Sequence, residues 1–197
     1  MKHKFTIVKH VKCSRANVIA NYLDLEHMPA HSGLMACRVM SEADRAACFE
    51  ITSKVGPFKI KNIHYYEFRP PNQIFHAVES PLGPMYVLST VEEFGSGTEE
   101  VRSEITVETT LDLPRLLFPA RGLVERLLRR LNRTVHGEDC AMLERRQRLF
   151  GDDVSDYLRE EQCLLFKDLF RESVESGGPS TPLRGSGSGL PTTLHLR

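Results

Sequence analysis

The sequence predicts an α+β fold in which a curved antiparallel sheet wraps around a long C-terminal helix and encloses a hydrophobic pocket. Apolar and polar residues alternate through roughly the first hundred positions, and helical spacing of apolar residues follows from Leu116. The clearest alternation spans 101–111, where one face is apolar and the other charged. A sheet with one apolar face must bury that face, and the helical region supplies the cover.

Local signals define the strands and the first helix in chain order. A strand at 5–11 precedes a short helix at 14–23, for which Ser14 is the N-cap. Strands at 49–55 and 58–68 flank a Gly-Pro turn, and further turns rich in proline or glycine separate the strands that follow. We therefore expect a series of antiparallel hairpins.

Two helical runs are predicted after the sheet. The first covers the apolar positions from Leu116 to Leu131 and is interrupted by Pro119 and Gly122. The second begins near Glu138. Together they form the predicted cover of the pocket.

Composition indicates one domain and excludes several classes of protein. The predicted domain covers 1–172, whereas 173–197 are rich in Gly, Ser and Pro and are expected to form a disordered tail. The 26 basic and 26 acidic residues cancel, which gives no indication of nucleic-acid binding. The five scattered cysteines and the lack of a long apolar segment predict a cytoplasmic protein without a membrane span.

The stretch Asp24-Leu25-Glu26-His27-Met28-Pro29-Ala30-His31 places an acid and two imidazoles close together. Two histidines and a carboxylate can hold a divalent iron on one side and leave other positions open. Pro29 would force the chain out of a helix that continued to residue 28, so both rings can converge on one point. Two ordinary surface or packed histidines are the alternative.

Two later segments resemble the catalytic domain of Rieske-type non-haem iron oxygenases. They are Gly-Glu-Asp-Cys-Ala-Met-Leu-Glu-Arg-Arg-Gln-Arg-Leu-Phe at 137–150 and Glu-Gln-Cys-Leu-Leu-Phe-Lys-Asp-Leu-Phe at 161–170. In that family a Glu-Asp pair opens a long helix, and its Asp, which corresponds to Asp139, is the third iron ligand. The resemblance covers residues 1–172.

The same family carries Asp-x-x-His just before a second His, which matches Asp24 and His27. Three residues separate His27 from His31 here, where the family usually has four. The resemblance implies one Fe(II) held by His27, His31 and Asp139. It also implies that the Asp24 carboxylate orients the neighbouring histidine at the catalytic centre. A local helix-end cap is the alternative role for Asp24.

The resemblance omits the N-terminal Rieske domain of that family. None of the cysteines lies in the paired Cys-x-His and Cys-x-x-His elements that hold an iron–sulfur cluster, so we expect no such cluster in this chain. Electrons for iron would come from a separate Rieske or ferredoxin-type protein; in the family the supplying cluster belongs to a neighbouring subunit, which favours a homo-oligomer. The arginines between 115 and 133 are either a solvated face or a docking surface for that partner.

Polar and aromatic side chains on one face of the 58–68 strand are the candidate ligand-binding residues. They are Asn62, His64, Tyr66 and Phe68. Hydrogen bonding and packing inside the core are the alternative.

The predicted architecture is the helix-grip fold of START/Bet v 1-like proteins, which include lipid carriers, polyketide cyclases and the Rieske oxygenase catalytic domain. The fold does not choose among these functions. A metal-free protein that binds or transports a hydrophobic or aromatic small molecule is therefore an alternative to the iron oxygenase. A polyketide-cyclase-like enzyme with His64 or Tyr66 as its acid–base group is another.

Overall fold

Seven antiparallel strands form one curved sheet in the computed structural model, which describes residues 1–28, 34–55, 58–79, 83–95, 100–159 and 164–176. The strands are β1 (Lys2–Val11), β2 (Leu34–Ala43), β3 (Ala46–Val55), β4 (Phe58–Arg69), β5 (Gln73–Glu79), β6 (Met85–Phe94) and β7 (Arg102–Asp112). The described residues also form the helices α1 (Arg15–Leu23), α2 (Arg121–Phe150) and α3 (Lys167–Glu175). The predicted α+β architecture is confirmed.

The strand order is β1-β7-β6-β5-β4-β3-β2. Strands β2 to β7 therefore follow one another as a meander, and the first strand pairs with the last. This order leaves β1 and β2 at the two edges of the sheet. The chain passes through α1 on its way from one edge to the other.

The predicted alternation is confirmed in β7. Ser103, Ile105, Val107, Thr109 and Leu111 are all buried. The residues between them are more exposed, because successive side chains of a strand point to opposite faces. The buried face of β7 is the face that the helices cover.

Helix α1 begins where the sequence predicts and ends at Leu23. The Ser14 hydroxyl accepts a hydrogen bond from the backbone N–H of Asn17, as expected for an N-cap. The backbone of Asp24 is extended, with ψ of 105°, so the helix does not continue to residue 28. His27 consequently lies in the bend after the helix and not in its last turn.

A single helix, α2, takes the place of the two predicted helical runs. Turns and a short 3-10 helix at Phe118–Ala120 precede it, and it then continues to Phe150 without a break. Gly137 costs a helix only about 1 kcal/mol relative to alanine, and the helix is continuous on both sides of it. The prediction of a new helix near Glu138 is therefore wrong.

Helix α2 lies along the edge strand β1. Three contacts join them in the same order along both elements: His3 with Glu125, the Thr6 carbonyl with Arg129, and the His10 carbonyl with Cys140. Beyond the strand, the backbone N–H of Ser14 donates to Gln147. Between the His3 and His10 contacts the strand and the helix each advance ~23 Å. The two elements therefore run side by side over this stretch, and the Ser14 contact holds the helix near its C-terminal end.

Helix α3 extends the folded domain beyond the boundary predicted at residue 172. Phe170 is buried, and Val174 packs against the main core. Residues 173–175, predicted as part of the tail, continue this helix. Residues 177–197 lie outside the described residues. No helix in the described part of the chain is both long enough and apolar enough to span a lipid bilayer.

Asn17 joins α1 to the C-terminal end of α2. Its side chain is completely buried, and its Nδ2 donates to Ser14 Oγ, Gln147 Oε1 and the Gly151 carbonyl at 3.2, 2.8 and 2.9 Å. The Gln147 Oε1 also accepts from the Ser14 backbone N–H. A small network of buried hydrogen bonds therefore fixes this end of the helix.

We predict that Asn17→Ala lowers the free energy of unfolding by about 1–3 kcal/mol, because it leaves buried acceptors without their donor. Denaturant unfolding measures the change. The matched control is Asn132→Ala on α2, because Oδ1 of both asparagines is buried without a hydrogen-bond partner among the described residues, and Asn17 adds the three Nδ2 contacts above. An equal loss of stability in both variants would contradict this role for Asn17.

Candidate ligand-binding cavity

A cavity of about 420 Å³ lies between α2 and the sheet. Strands β3 to β7, helix α2 and the end of α1 all contribute to its walls. Most of the lining is apolar and includes Ile51, Val78, Met85, Leu111, Leu113, Val124, Leu128, Leu131 and Val135. A second cavity of about 250 Å³ shares part of this lining and reaches towards β1. Such a concave, mostly apolar space is typical of a small-molecule site.

Polar side chains are concentrated on the β4 and β5 side of the larger cavity. Asn62, His64 and Tyr66 alternate along β4, and His76 lies on β5 directly opposite Tyr66. All four line the cavity, as the strand alternation predicts for the three β4 residues. Asn62 Oδ1 and His64 Nε2 are buried and have no hydrogen-bond partner among the described residues.

His64 and His76 form a hydrogen-bonded pair. Nδ1 of His64 lies 2.7 Å from Nε2 of His76, and the two rings are stacked with centroids 5.0 Å apart. Phe49 stacks on the other side of His64, and Tyr66 meets the His76 ring edge-on. These contacts hold both imidazoles in fixed orientations at the cavity wall.

Both imidazoles are uncharged near neutral pH. Burial lowers the pKa of His64 to about 4. Burial also lowers the pKa of His76, and the neighbouring His64 lowers it further. Burial raises the pKa of the Tyr66 phenol, which therefore keeps its proton. This side of the cavity offers hydrogen bonds without net charge.

A second polar group lies where α1 and α2 meet. Nε2 of His27 is 3.8 Å from Oδ1 of Asp139, and Asn21 Nδ2 donates to the same Asp139 oxygen at 3.1 Å. All three residues line the cavity. Tyr22 also lines it; burial raises the pKa of this phenol to about 12, and its hydroxyl is hydrogen-bonded with Ser89.

Asp24 supports His27 through its backbone. The Asp24 carbonyl accepts a hydrogen bond from Nδ1 of His27, which leaves Nε2 on the side of Asp139. The Asp24 carboxylate accepts from the backbone N–H of Glu26 and so caps the bend. Burial raises the pKa of Asp24, and the Glu26 hydrogen bond opposes that shift. The orienting contact implied for the carboxylate is therefore made by the carbonyl.

The predicted metal ligands are brought together in part. His27 and Asp139 are neighbours, although more than a hundred residues separate them in sequence. His31 lies outside the described residues. Within the described ranges, no three His, Cys, Asp or Glu side chains converge in a way that could hold a metal ion.

Comparison with known proteins identifies the fold. No family model and no curated protein matches the sequence. Among solved structures, the Zhui aromatase/cyclase from Streptomyces sp. R1128 matches with 13% identity and a TM-score of 0.63, over 77% of this chain and 99% of that one. The protein Ara h 8.0201 matches with 10% identity and a TM-score of 0.54, over 70% and 97%. A START superfamily protein from Mycobacterium smegmatis matches with 12% identity and a TM-score of 0.52, over 69% and 96%.

The chain has the helix-grip fold. Its neighbours are START/Bet v 1-like proteins, and at such low identity they establish the fold alone. The helix that gives the fold its name is α2, which closes the cavity over the sheet.

One predicted ligand-binding residue lies outside the helix-grip cavity. Phe68 is completely buried, and its ring packs against Phe170 with centroids 6.3 Å apart. It shares a face of β4 with Asn62, His64 and Tyr66, but at its end of the strand α3 covers the sheet. Phe68 is therefore a core residue.

His76 is not among the residues that the sequence predicts at the site. The alternation of Ile74, His76 and Val78 nevertheless places it on the buried face of β5. The register of β4 and β5 then brings it diagonally next to His64. The contact between His64 and His76 can be predicted only when the pairing of β4 with β5 is known, and a single sequence does not give that pairing.

We predict that acid destabilises the helix-grip domain through His64. In the unfolded chain the His64 pKa is near 6.5, whereas the folded ring has a pKa of about 4, so unfolding takes up a proton between these values. The free energy of unfolding therefore falls as pH decreases from 6.5 to 4, by on the order of 3 kcal/mol from this group.

Denaturant unfolding at several pH values between 7 and 4 measures this slope. The slope should be smaller in His64→Phe than in the wild type. His10→Phe is the matched control, because the His10 side chain is 72% exposed. Identical slopes in the wild type and His64→Phe would contradict the prediction.

Proposed function

We propose that this protein binds a hydrophobic, aromatic small molecule in the cavity beneath α2. The observation that carries the proposal is the cavity itself, about 420 Å³ in volume and lined mainly by aliphatic side chains. Aromatic contacts are available from Tyr66 and from the flat His64 and His76 rings. A guest with an apolar body and a small number of polar groups fits this distribution.

The structural neighbours support this proposal over the iron oxygenase. They include polyketide aromatase/cyclases and a START superfamily protein. A cyclase-like reaction is the enzymatic form of the proposal. His64 would be its proton acceptor and Tyr66 its proton donor, and burial weakens both, because it lowers the pKa of His64 and raises the pKa of Tyr66.

We predict that Val78→Trp weakens binding of N-phenyl-1-naphthylamine about tenfold, because the larger side chain fills part of the cavity. Val78 is 5% exposed and lines the cavity wall. Fluorescence titration of this neutral probe gives the dissociation constant. Val8→Trp on β1 is the matched control, since Val8 is 51% exposed.

Equal affinities in Val78→Trp and Val8→Trp would place the probe elsewhere and count against the proposal. Thermal unfolding checks that both variants are folded. Solvent extraction of the purified wild type, followed by mass spectrometry, addresses the natural guest directly.

A mononuclear Fe(II) site is the second candidate, favoured by the His27–Asp139 pair. Two ligand bonds of about 2.0–2.2 Å span the 3.8 Å between Nε2 and Oδ1 at an N–metal–O angle of about 130°, so a facial arrangement would bring these two atoms roughly 1 Å closer together. The hydrogen bond from Nδ1 of His27 to the Asp24 carbonyl is the arrangement that a metal-binding imidazole uses. His27 and Asp139 would hold the ion together with His31, and the ion would supply redox chemistry.

This second candidate also needs electrons from another protein. The cysteine pattern predicts no iron–sulfur cluster in this chain, so a separate Rieske or ferredoxin-type protein would supply them. Arg126, Arg130 and Arg133 are exposed on α2 and offer positive charge to an acidic partner.

We predict for this candidate that anaerobic reconstitution with Fe(II) loads the wild type, and that His27→Ala and Asp139→Asn lower the affinity at least about tenfold. Metal analysis after desalting provides the measurement. His10→Ala and Asp44→Asn make the same chemical changes at exposed positions. If all five proteins retain the same amount of iron, the site is not formed by this pair.

A further inference from the structure

The polar wall of the cavity contains two hydrogen-bonding atoms that the protein leaves unused. Asn62 Oδ1 and His64 Nε2 are buried, line the cavity from the same face of β4, and have no partner among the described residues. An unsatisfied buried polar group costs about 1–3 kcal/mol. Two such atoms on one face of the same strand are expected where a ligand supplies the missing hydrogen bonds.

The hydrogen bond between His64 and His76 allows His64 Nε2 to act as either a donor or an acceptor. The hydrogen bond between His64 Nδ1 and His76 Nε2 contains one proton, and each uncharged imidazole carries one N–H. If His76 donates, the proton of His64 is on Nε2, which then acts as a donor towards the cavity. If His64 donates, its Nε2 is an acceptor.

We propose that Asn62 and the His64–His76 pair bind the oxygen substituent of a neutral aromatic ligand, and that the pair accepts either a hydroxyl or a carbonyl by changing tautomer. The inference rests on the proposed function and makes it more specific, since it names the polar group that the guest carries. A hydroxyl donates to Asn62 Oδ1 or to His64 Nε2. A carbonyl accepts from His64 Nε2 in the other tautomer.

The charge distribution selects against an anionic substituent at this wall. The described cavity lining carries a carboxylate, Asp139, and the paired imidazoles are uncharged. Lys9, the basic residue in the described lining of the smaller cavity, is partly buried, and its charge interacts with Asp139. The oxygen substituent is therefore a phenol, an alcohol or a ketone.

Three naphthalenes of similar size test the proposal: 2-naphthol, 2-acetylnaphthalene and 2-methylnaphthalene. An apolar wall would bind 2-methylnaphthalene most tightly, because the oxygen of 2-naphthol or 2-acetylnaphthalene would be buried there without a hydrogen bond. We expect the wild type to bind both oxygenated probes at least as tightly as 2-methylnaphthalene. In His64→Phe, the affinity of each oxygenated probe relative to that of 2-methylnaphthalene should fall about tenfold. In Asn62→Leu, the affinity of 2-naphthol relative to that of 2-methylnaphthalene should fall.

Controls separate this inference from the proposed function. His10→Phe makes the same change on the exposed side of β1 and should keep the wild-type ratios. If all three probes bind but the ratios are the same in the wild type, His64→Phe and Asn62→Leu, this inference fails and the cavity proposal stands. If the wild type binds none of the three, both fail.

A measurement on the wild type protects the test against a variant that does not fold. In ¹⁵N spectra of labelled imidazoles, 2-naphthol should shift the signals of His64 and His76 together, because their tautomers are coupled. 2-Methylnaphthalene should leave the protonation pattern of both rings unchanged. Identical spectral changes with both probes would overturn the proposal.

Discussion

Helix α2 encloses a cavity because it is fastened along the edge strand β1 and at its C-terminal end to α1. The helix has a polar contact near each end, from His3 on β1 with Glu125 to Ser14 at the start of α1 with Gln147. The face of α2 that carries Val124, Leu128 and Val135 is then held over the cavity. The position of the helix over the cavity therefore depends on polar contacts at the boundary as well as on the apolar residues that line it.

Two polar sites of different electrostatic character share this cavity. On the β4 and β5 wall, His64 and His76 are uncharged and offer neutral hydrogen bonds. Between α1 and α2, His27 is close to the Asp139 carboxylate, and this site suits a cation or a proton. Low dielectric strengthens both kinds of interaction. The ligand-binding proposal uses the first of these sites, and the iron proposal uses the second.

Strand periodicity predicts much of this structure from the sequence, and long-range contacts account for what it misses. The alternation along β4 correctly places Asn62, His64 and Tyr66 on the cavity face. It cannot show that α3 covers the sheet at Phe68, because that contact joins distant segments.

Strand β2 is not predicted from the sequence, for another reason. It is an edge strand whose described side chains are all exposed or only partly buried, so its apolar alternation is weak. The proximity of His27 and Asp139 is implied by the family resemblance and by no local pattern.

Several described residues that line the cavity lie on paired strands, from Ile51 on β3 to Leu111 on β7. Their backbones pair with the neighbouring strands along the sheet. Sheet pairing therefore does not depend on which side chain occupies each lining position, provided that it is compatible with burial. Evolution or a designer can consequently change the guest specificity of this scaffold one side chain at a time. The strand pairing stays the same, while the inward-facing side chains of the five strands can be substituted independently of one another.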